Sequence, residues 1–407
     1  MRDVFWPLAG TMLLQTVSSL IFLTAPVLGP ELAAAAGFDG SRIGIYSALV
    51  FAGAMPVSLI CGGLIARYGA LRVMQVGMLV SCVALLGALP ALTWLLFVSA
   101  VLVGMGYGPN TPGASHVLAR VTAPRDRPLV FSIKQSGAPL GGFLAGLLLP
   151  AVVALAGWRV ALLVTVLLGI AAVFAVQPLR ARADDDRRPD RRLSVRGSWA
   201  QLRLLATSAD MRRLTLASFT YASVQICLFS FLVTYLVDAG GMTLVAAGAV
   251  FSAMQLSGVV ARILWGWVAD RLVPARWVLA GLGLASALCM AGIGWAGSGW
   301  SYGAVVLLAA AAGATVSGWN GVFLAEVARA APPGQVSTAT GGTVFFTYFG
   351  LVVGPAVFSL VVALSDYVVA FHTFAAAALL AAMLLFPGFR QGPNRPDAGL
   401  AQPPENG

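Results

Sequence analysis

The chain carries one pattern twice, as Gly62-Gly-Leu-Ile-Ala-Arg67-Tyr-Gly-Ala-Leu-Arg72 and as Gly266-Trp-Val-Ala-Asp-Arg271-Leu-Val-Pro-Ala-Arg276. The second copy follows the first by 204 positions, about half of the 407 residues, and the first glycine and both arginines coincide. The same interval relates three further pairs of glycines: Gly44 and Gly248, Gly137 and Gly341, and Gly146 and Gly350. A repeat of this length predicts a chain built from two related halves with the same orientation.

The composition indicates that lipid is the solvent of this chain. Hydrophobic residues make up 59% of the sequence and charged residues only 10%, and the mean hydropathy is +0.88. An ordinary soluble domain is about one quarter charged. A soluble enzyme, a nucleic-acid-binding protein and a disordered protein are therefore excluded.

Twelve apolar runs are long enough to cross a bilayer, which requires about 20 residues of helix. They lie at about residues 5–28, 42–66, 73–92, 94–119, 128–153, 158–178, 213–236, 244–269, 277–297, 301–328, 335–364 and 367–387. We therefore predict an all-α integral membrane protein with 12 transmembrane helices in two pseudo-symmetric six-helix bundles, residues 1–178 and 213–387. Residues 179–212 are predicted to form a polar cytoplasmic linker, and residues 388–407 a disordered tail.

The arginines indicate how the chain is oriented. Of the 25 basic residues, which give a net charge of +10, 24 are arginine and one is Lys134. Eleven of them lie at one end of the spans, at Arg2, Arg67, Arg72, Arg120, Arg125, Arg127, Arg271, Arg276, Arg329, Arg390 and Arg395. The other end has Arg42 and Arg159 beside the acids Glu31, Asp39, Asp238 and Asp366. Because basic loops remain inside the cell, both termini are predicted to be cytoplasmic, in a bacterial-type cytoplasmic (inner) membrane.

Both copies of the repeated pattern resemble the loop signature of the major facilitator superfamily, Gly-x-x-x-Asp-Arg-x-Gly-x-x-Arg. They lie between spans two and three and between spans eight and nine, as in that family. The resemblance covers essentially the whole chain and implies a transporter fold. Each copy departs from the signature once, because Ala66 replaces the Asp of the first copy and Val273 replaces the second Gly of the other. The missing acid implies that this half of the signature is weaker or differently built.

We expect the charges of the signature to form a cytoplasmic gate. An acid at the end of a span can cap a neighbouring helix and pair with arginines across the gap between the halves. Such pairs would form when the cytoplasmic side closes and break when it opens. The candidate gate residues are Arg67, Arg72, Arg120, Asp270, Arg271, Arg276, Glu326 and Arg329, with Glu326 and Arg329 as expected partners. The alternative is that these charges only set the topology.

Two cations lie inside predicted spans, Lys134 in span five and Arg262 in span eight. Each is six or seven residues from the cytoplasmic end of its span, a depth of roughly 9–11 Å at 1.5 Å per residue. Ionisable groups within the membrane are costly and mark functional sites. No acid in the membrane interior obviously neutralises them, so they predict an anion-binding cavity. The alternative is that both side chains reach back to the cytoplasmic surface.

Other candidates for the cavity are polar or aromatic residues on spans expected to face the centre of the fold. They are Gln15, Tyr107, Asn110, Tyr221, Gln225, Gln255, Trp319, Asn320 and Tyr348. For each of them, helix packing is the alternative role.

The stretch 260–270 is similar to span eight of the monocarboxylate and oxalate–formate branches of the superfamily. In those branches the matching arginine meets the substrate carboxylate, so the resemblance implies this role for Arg262. Nitrate porters carry an arginine in each half, whereas the repeat position of Arg262 is Ser58, so that branch fits poorly.

These observations predict a secondary active transporter that moves a small organic anion, a carboxylate, by alternating access. The expected partners are this solute, the lipid bilayer and a coupling proton, for which the buried lysine is a candidate carrier; the chain is expected to act as a monomer. The alternatives are proton-coupled drug efflux, transport of a neutral, sugar-like solute, or a non-transporting membrane sensor or scaffold. No enzymatic activity, cofactor, metal or nucleic acid is expected, since the two histidines are far apart and the four cysteines lie inside apolar runs.

Overall fold

The protein is described here by a computed structural model, which covers residues 2–123, 127–188, 209–296, 299–332 and 336–386. The first half forms α1 Arg2–Val27, α2 Gly29–Ala36, α3 Ile43–Tyr68, α4 Ala70–Leu86, α5 Thr93–Tyr107, α6 Asn110–Val121, α7 Arg127–Gln135, α8 Gly137–Ala156, α9 Trp158–Val176 and α10 Arg180–Ala183. The second forms α11 Ala209–Asp238, α12 Leu244–Arg271, α13 Ala275–Trp295, α14 Tyr302–Val316, α15 Trp319–Ala330, α16 Val336–Leu364 and α17 Tyr367–Leu385. Most of the predicted linker and the predicted tail, 388–407, lie outside the described residues.

The helices match the positions of the predicted spans, but not all of them are unbroken. Among the described residues, nine helices are long and apolar enough to cross a membrane, and a tenth span results if the pair Ile43–Ser58 and Ile60–Tyr68, bent by 59°, is counted as one. The third predicted span is α4, with only 17 residues. The fourth is divided between α5 and α6 at Gly108 and Pro109, because proline cannot continue the hydrogen bonding of a helix. The helical multi-pass fold is confirmed, and the number twelve stays a prediction.

The two halves repeat the same helix pairings. In the first half, α1 packs on α8, α3 on α5 and α4 on α9; in the second, α11 packs on α16, α12 on α14 and α13 on α17. The halves meet chiefly through α3 against α16 and α8 against α12. Each of these interfaces joins a second span of one half to a fifth span of the other, as the sequence repeat requires.

The outer helices turn apolar side chains away from the protein. The equivalent helices α4, α9, α13 and α17 provide Val83, Leu167, Leu288 and Leu380, which are each 62–69% exposed. Exposed apolar rows of this extent on regular helices are the surface that lipid chains cover. The inner helices α1 and α11 are instead largely buried.

Glycines related by the repeat are tightly packed at one end of the molecule and have open space around them at the other. We call the end with Glu31, Asp39, Asp238 and Asp366 the acidic face, and the end with Arg67, Arg72, Arg120, Arg271, Arg276 and Arg329 the basic face.

Towards the acidic face, a Cβ on Gly248 would lie 2.5 Å from the Gly146 carbonyl oxygen of the other half, and a Cβ on Gly44 would collide with the Phe231 ring. Near the basic face, a Cβ on Gly62 or Gly266 would meet no described atom within 4 Å. The halves are thus tightly packed towards the acidic face and separated near these basic-face positions.

Candidate functional site

A cavity of about 210 Å³ lies between the two halves. Its walls come from α1, α3, α5–α8, α11, α12, α15 and α16. The lining includes seven of the residues predicted from the sequence: Gln15, Tyr107, Gln225, Arg262, Trp319, Asn320 and Tyr348. Among the lining residues that the structure describes, Arg262 carries the only charged side chain.

The Arg262 guanidinium connects the two halves. Its Nε donates to the Ser317 carbonyl of its own half at 3.2 Å. Its Nη1 donates to the Gln135 carbonyl of the other half at 2.7 Å. Within the described part of the chain, Nη2 has no hydrogen-bond partner. The guanidinium is therefore held in a fixed place while one of its donors remains available to a ligand.

The carbonyl that Arg262 contacts lies at a break in span five. Helix α7 ends at Gln135, and α8 begins at Gly137. A helix that ends within a membrane protein leaves carbonyl groups without helical partners, and the Arg262 side chain satisfies one of them. Because α8 begins two residues after α7 ends, the opposite partial charges of the two helix ends largely cancel.

Lys134 lies behind the cavity wall and not in its lining. Its side chain is 1% exposed. The Nζ atom donates to Gln15 Oε1 and to Gln135 Oε1, each at 3.1 Å. In the described ranges, no carboxylate oxygen lies within 4.0 Å of the charged nitrogens of Lys134 or Arg262. Lys134 is therefore an interior charge, held by amide oxygens, whose field reaches the cavity through Gln15 and Gln135.

Hydrogen bonds within the protein orient both glutamines of the cavity wall. The Gln225 Oε1 accepts from Trp319 Nε1 at 3.0 Å and from Asn320 Nδ2 at 3.4 Å, which directs the amide oxygen of Gln225 toward α15. The Gln15 Oε1 accepts from Lys134 Nζ. The Gln15 Nε2 donates to the Tyr107 hydroxyl oxygen at 3.1 Å. The acceptor oxygens of both glutamines are thus used within the protein, whereas the Tyr107 hydroxyl retains its own proton as a donor.

An aromatic cluster forms another part of the wall. The Phe22 and Phe51 rings are 5.1 Å apart, and the Tyr107 ring is 5.9 Å from Phe22 and 6.2 Å from Phe51. Tyr348 joins from the other half, with its ring 6.3 Å from Phe51. These separations are typical of aromatic pairs in contact. The cavity therefore has a cationic part and an aromatic part.

Four predicted binding residues lie outside the cavity lining: Lys134, Asn110, Tyr221 and Gln255. The Tyr221 hydroxyl donates to the Leu279 carbonyl on α13 at 3.0 Å, which turns it away from the centre. The Asn110 Nδ2 donates to the Tyr107 carbonyl at the start of α6. Gln255 is fully buried where α12 packs on Gly142 of α8. These three residues occupy helix-packing positions, the alternative that the sequence left open.

Sequence reasoning missed Gln135, Phe22 and Phe51 as cavity residues. Gln135 adjoins Lys134 and precedes the Gly-rich start of α8, so the position of the helix break was a usable signal. Phe22 and Phe51 belong to apolar runs in which nothing distinguishes a residue that lines a cavity from one that packs against a neighbour or against lipid.

The expected pairing of gate charges across the halves is absent from the described part of the structure. Asp270 and Arg271 are exposed and form no ion pair there. Glu326 binds Arg329 of its own helix, with oxygen–nitrogen distances of 2.6 and 2.9 Å. Arg276 is buried, and its Nη2 lies 2.9 Å from Asp210 Oδ1 in the same half. The pairs stay within one half because the halves are separated near this face.

In the first half, an acid from the predicted linker occupies the region of the altered signature. Asp184 is 6% exposed, and its carboxylate accepts from the backbone N–H groups of Leu71 at 2.7 Å and Arg72 at 3.0 Å. It thereby caps α4, which follows Gly69 with φ +99°. The signature position Ala66 accepts from the Arg188 backbone N–H at 2.6 Å. The first residues of the linker are thus packed on the protein and are not wholly solvated.

The remaining gate candidates also act locally. Arg120 binds the linker acids Asp185 and Asp186 and the Ala183 carbonyl. The Arg67 guanidinium lies over the ring of its neighbour Tyr68, 5.4 Å from the centroid. The Arg120 contacts hold the start of the linker against α6, and the Arg67 contact lies at the end of α3, so all of them remain within the first half.

Comparison with known proteins agrees with this architecture. The profile of the Major Facilitator Superfamily matches residues 9–341. A probable nitrate/nitrite transporter, NarK2 of Mycobacterium tuberculosis, is 37% identical over 128 residues, which are 30% of this chain and 31% of that protein. The chain thus matches about a third of that relative's length.

Solved transporter structures share the fold at low sequence identity. A bacterial homologue of the human lysosomal transporter Spinster superposes with a TM-score of 0.72 at 14% identity, covering 93% of this chain and 95% of that one. A POT family transporter in complex with 5-aminolevulinic acid gives 0.75 at 12% identity, with coverages of 94% and 95%. The nucleoside transporter NupG gives 0.75 at 16% identity, with coverages of 94% and 100%.

The repeat, the paired helix bundles and the matched profile lead to one conclusion about the class of protein. The chain is a multi-pass membrane transporter and not an enzyme, and it belongs to the Major Facilitator Superfamily.

Proposed function

We propose that this protein is a secondary active transporter of a small organic anion, a carboxylate, which it moves across the cytoplasmic membrane by alternating access. One observation carries the proposal: Arg262 lines the central cavity, Lys134 lies directly behind it, and no carboxylate of the described chain neutralises either cation. Burying an ion without a partner costs several kcal/mol. An anionic substrate would supply the missing partner each time it binds.

The rest of the cavity favours an anion over a neutral, sugar-like solute. The side-chain oxygens of Gln15 and Gln225 already accept hydrogen bonds within the protein, which reduces their capacity to accept from sugar hydroxyls. The free Nη2 of Arg262 and the Tyr107 hydroxyl are donors.

Alternating access accounts for the unequal packing of the two ends. The tight glycine contacts towards the acidic face and the open space around Gly62 and Gly266 support an inward-facing arrangement, if the basic face is cytoplasmic as basic loops require. The gate pairs would then form in the opposite, outward-facing arrangement. We propose cytoplasmic termini, a monomeric unit and Lys134 as the candidate proton carrier.

A second candidate substrate is an inorganic anion, because the matched segment of NarK2 belongs to a probable nitrate/nitrite transporter. The repeat position of Arg262 is Ser58, so the two halves do not provide equivalent arginines. Lys134 nevertheless gives the first half a cation of its own, and nitrate therefore belongs in any substrate panel.

The test is counterflow in proteoliposomes loaded with one solute and diluted into its labelled form. We expect exchange of carboxylates and no exchange of the matched neutral amides or of sugars. Arg262→Ala should abolish carboxylate exchange, while Arg159→Ala, which removes an exposed arginine near the acidic face, should retain it. Full carboxylate exchange by Arg262→Ala, or equal exchange of amides by the unaltered protein, would refute the proposal.

A further inference from the structure

We infer that the substrate is a monocarboxylate with a planar aromatic body, bound with its charge at Arg262 and its ring in the cluster of Phe22, Phe51, Tyr107 and Tyr348. The inference rests on the proposed function and narrows it. The supporting observation is that one cavity has a positive charge in one part of its wall and aromatic rings in another.

The cavity accommodates one negative charge at one end. Arg262 is the only charged residue among the described lining, and Lys134 lies behind the wall, where it donates to the side-chain oxygens of Gln15 and Gln135. Both cations act on the same region, since Arg262 donates to the carbonyl of Gln135, the residue after Lys134. A second carboxylate elsewhere in the cavity would be desolvated without a charged partner, which is strongly unfavourable.

The aromatic cluster adjoins this cationic region. Arg262 and Tyr107 line the same cavity, and Gln15 donates to the Tyr107 hydroxyl while it accepts from Lys134. Tyr107 is itself in ring contact with Phe22 and Phe51. A ligand whose carboxylate binds Arg262 therefore lies in a cavity whose wall also includes these rings.

Both halves contribute to the apolar part of the site. Tyr348 contacts Phe51 across the boundary between the halves, and Trp319 and Phe323 add a further edge-to-face pair at 5.5 Å that also lines the cavity. A small inorganic anion would leave these surfaces without a partner. An aromatic ring in the cavity would pack against the cavity-facing sides of these rings and gain ring–ring contacts from both halves.

The test is isothermal titration calorimetry on the purified full chain with benzoate and four matched ligands. Acetate keeps the charge without the ring, benzamide keeps the ring without the charge, terephthalate adds a second charge, and nitrate is a small planar anion. We expect benzoate to bind at least about tenfold tighter than each of the others, a difference of about 1.4 kcal/mol.

Substitutions in the aromatic cluster should weaken benzoate selectively. Tyr348→Leu should reduce the preference for benzoate over acetate by about 2- to 12-fold, the range expected for one aromatic contact. Phe51→Leu provides a second variant should the first fail to fold. Tyr302→Leu is the control, because Tyr302 is exposed and lies outside the cavity.

The outcomes separate this inference from the proposed function. Equal affinities for acetate and benzoate, both lost in Arg262→Ala, would overturn the aromatic assignment and leave the carboxylate transporter intact. Terephthalate or nitrate binding as tightly as benzoate would also overturn it. Benzamide binding as tightly as benzoate would overturn both.

Discussion

Gly248→Ala is expected to open the acidic face. Gly248 lies on α12, where an added Cβ would be 2.5 Å from the Gly146 carbonyl oxygen and 2.5 Å from Pro150 Cγ, both on α8 of the other half. Neither a backbone carbonyl nor a proline ring can rotate away. Because ordinary contacts begin at 3.4 Å, the two helices must separate by about 0.9 Å, or the halves must part.

The size of the effect follows from the cost of overpacking. Inserting one methyl group into a tight contact costs about 1–3 kcal/mol. If the open arrangement relieves this cost entirely, the ratio of open to closed molecules rises by about 5- to 160-fold. The same substitution at Gly266, on the same helix, meets no described atom within 4 Å and provides the matched control.

Alkylation of a cysteine at Ser230 measures the opening. Ser230 is fully buried between the halves, where its hydroxyl donates to Ser47 at 2.7 Å, and the four native cysteines are also buried. In a protein that carries Ser230→Cys, Gly248→Ala should raise the rate at which maleimide labels the introduced cysteine by about 5- to 160-fold. Mass spectrometry measures this rate. Equal rates in the Gly248→Ala and Gly266→Ala proteins would refute the reasoning.

Three further substitutions test separate parts of the structure. Asp184→Asn should destabilise the protein by about 1–2 kcal/mol because it removes the charge that caps α4; an unchanged thermal midpoint in detergent would contradict the cap. Lys134→Met should raise the Kd of a bound carboxylate about tenfold or more in calorimetry, because a buried positive charge near the anion is lost; an unaltered Kd would exclude the charge from binding. Tyr221→Phe should retain counterflow and lose about 1 kcal/mol of stability, because the Tyr221 hydroxyl donates to the Leu279 carbonyl outside the cavity. Loss of carboxylate affinity in this variant would show that Tyr221 takes part in binding.

The sequence was sufficient for the architecture because the features that determine it are periodic. Apolar runs of transmembrane length, glycines at a constant interval and the repeated pattern around Arg67 and Arg271 predicted the helices and the two halves. The lengths of single spans were less predictable, since Gly108 and Pro109 divide the fourth one. Such a break depends on local backbone geometry and leaves the average hydropathy unchanged.

The site was only partly predictable, because side-chain direction depends on neighbours that are distant in sequence. Tyr221 and Gln225 are one helical turn apart, yet only Gln225 lines the cavity, since the Leu279 carbonyl attracts the tyrosine hydroxyl. The absence of an acid at Ala66 was evident, but its substitute, Asp184, is 118 positions later and reaches α4 only through the fold. The two cations were recognised from charge in an apolar context, a signal that needs no knowledge of neighbours.

The position of a bound carboxylate tests the central claim most directly. We would determine an experimental structure of the full chain with 4-bromobenzoate and locate the bromine from its anomalous scattering. We expect a carboxylate oxygen within hydrogen-bond distance, about 3 Å, of the Arg262 guanidinium, and the bromine beside the aromatic cluster. A ligand bound elsewhere, with Arg262 contacting only the Gln135 and Ser317 carbonyls, would contradict it.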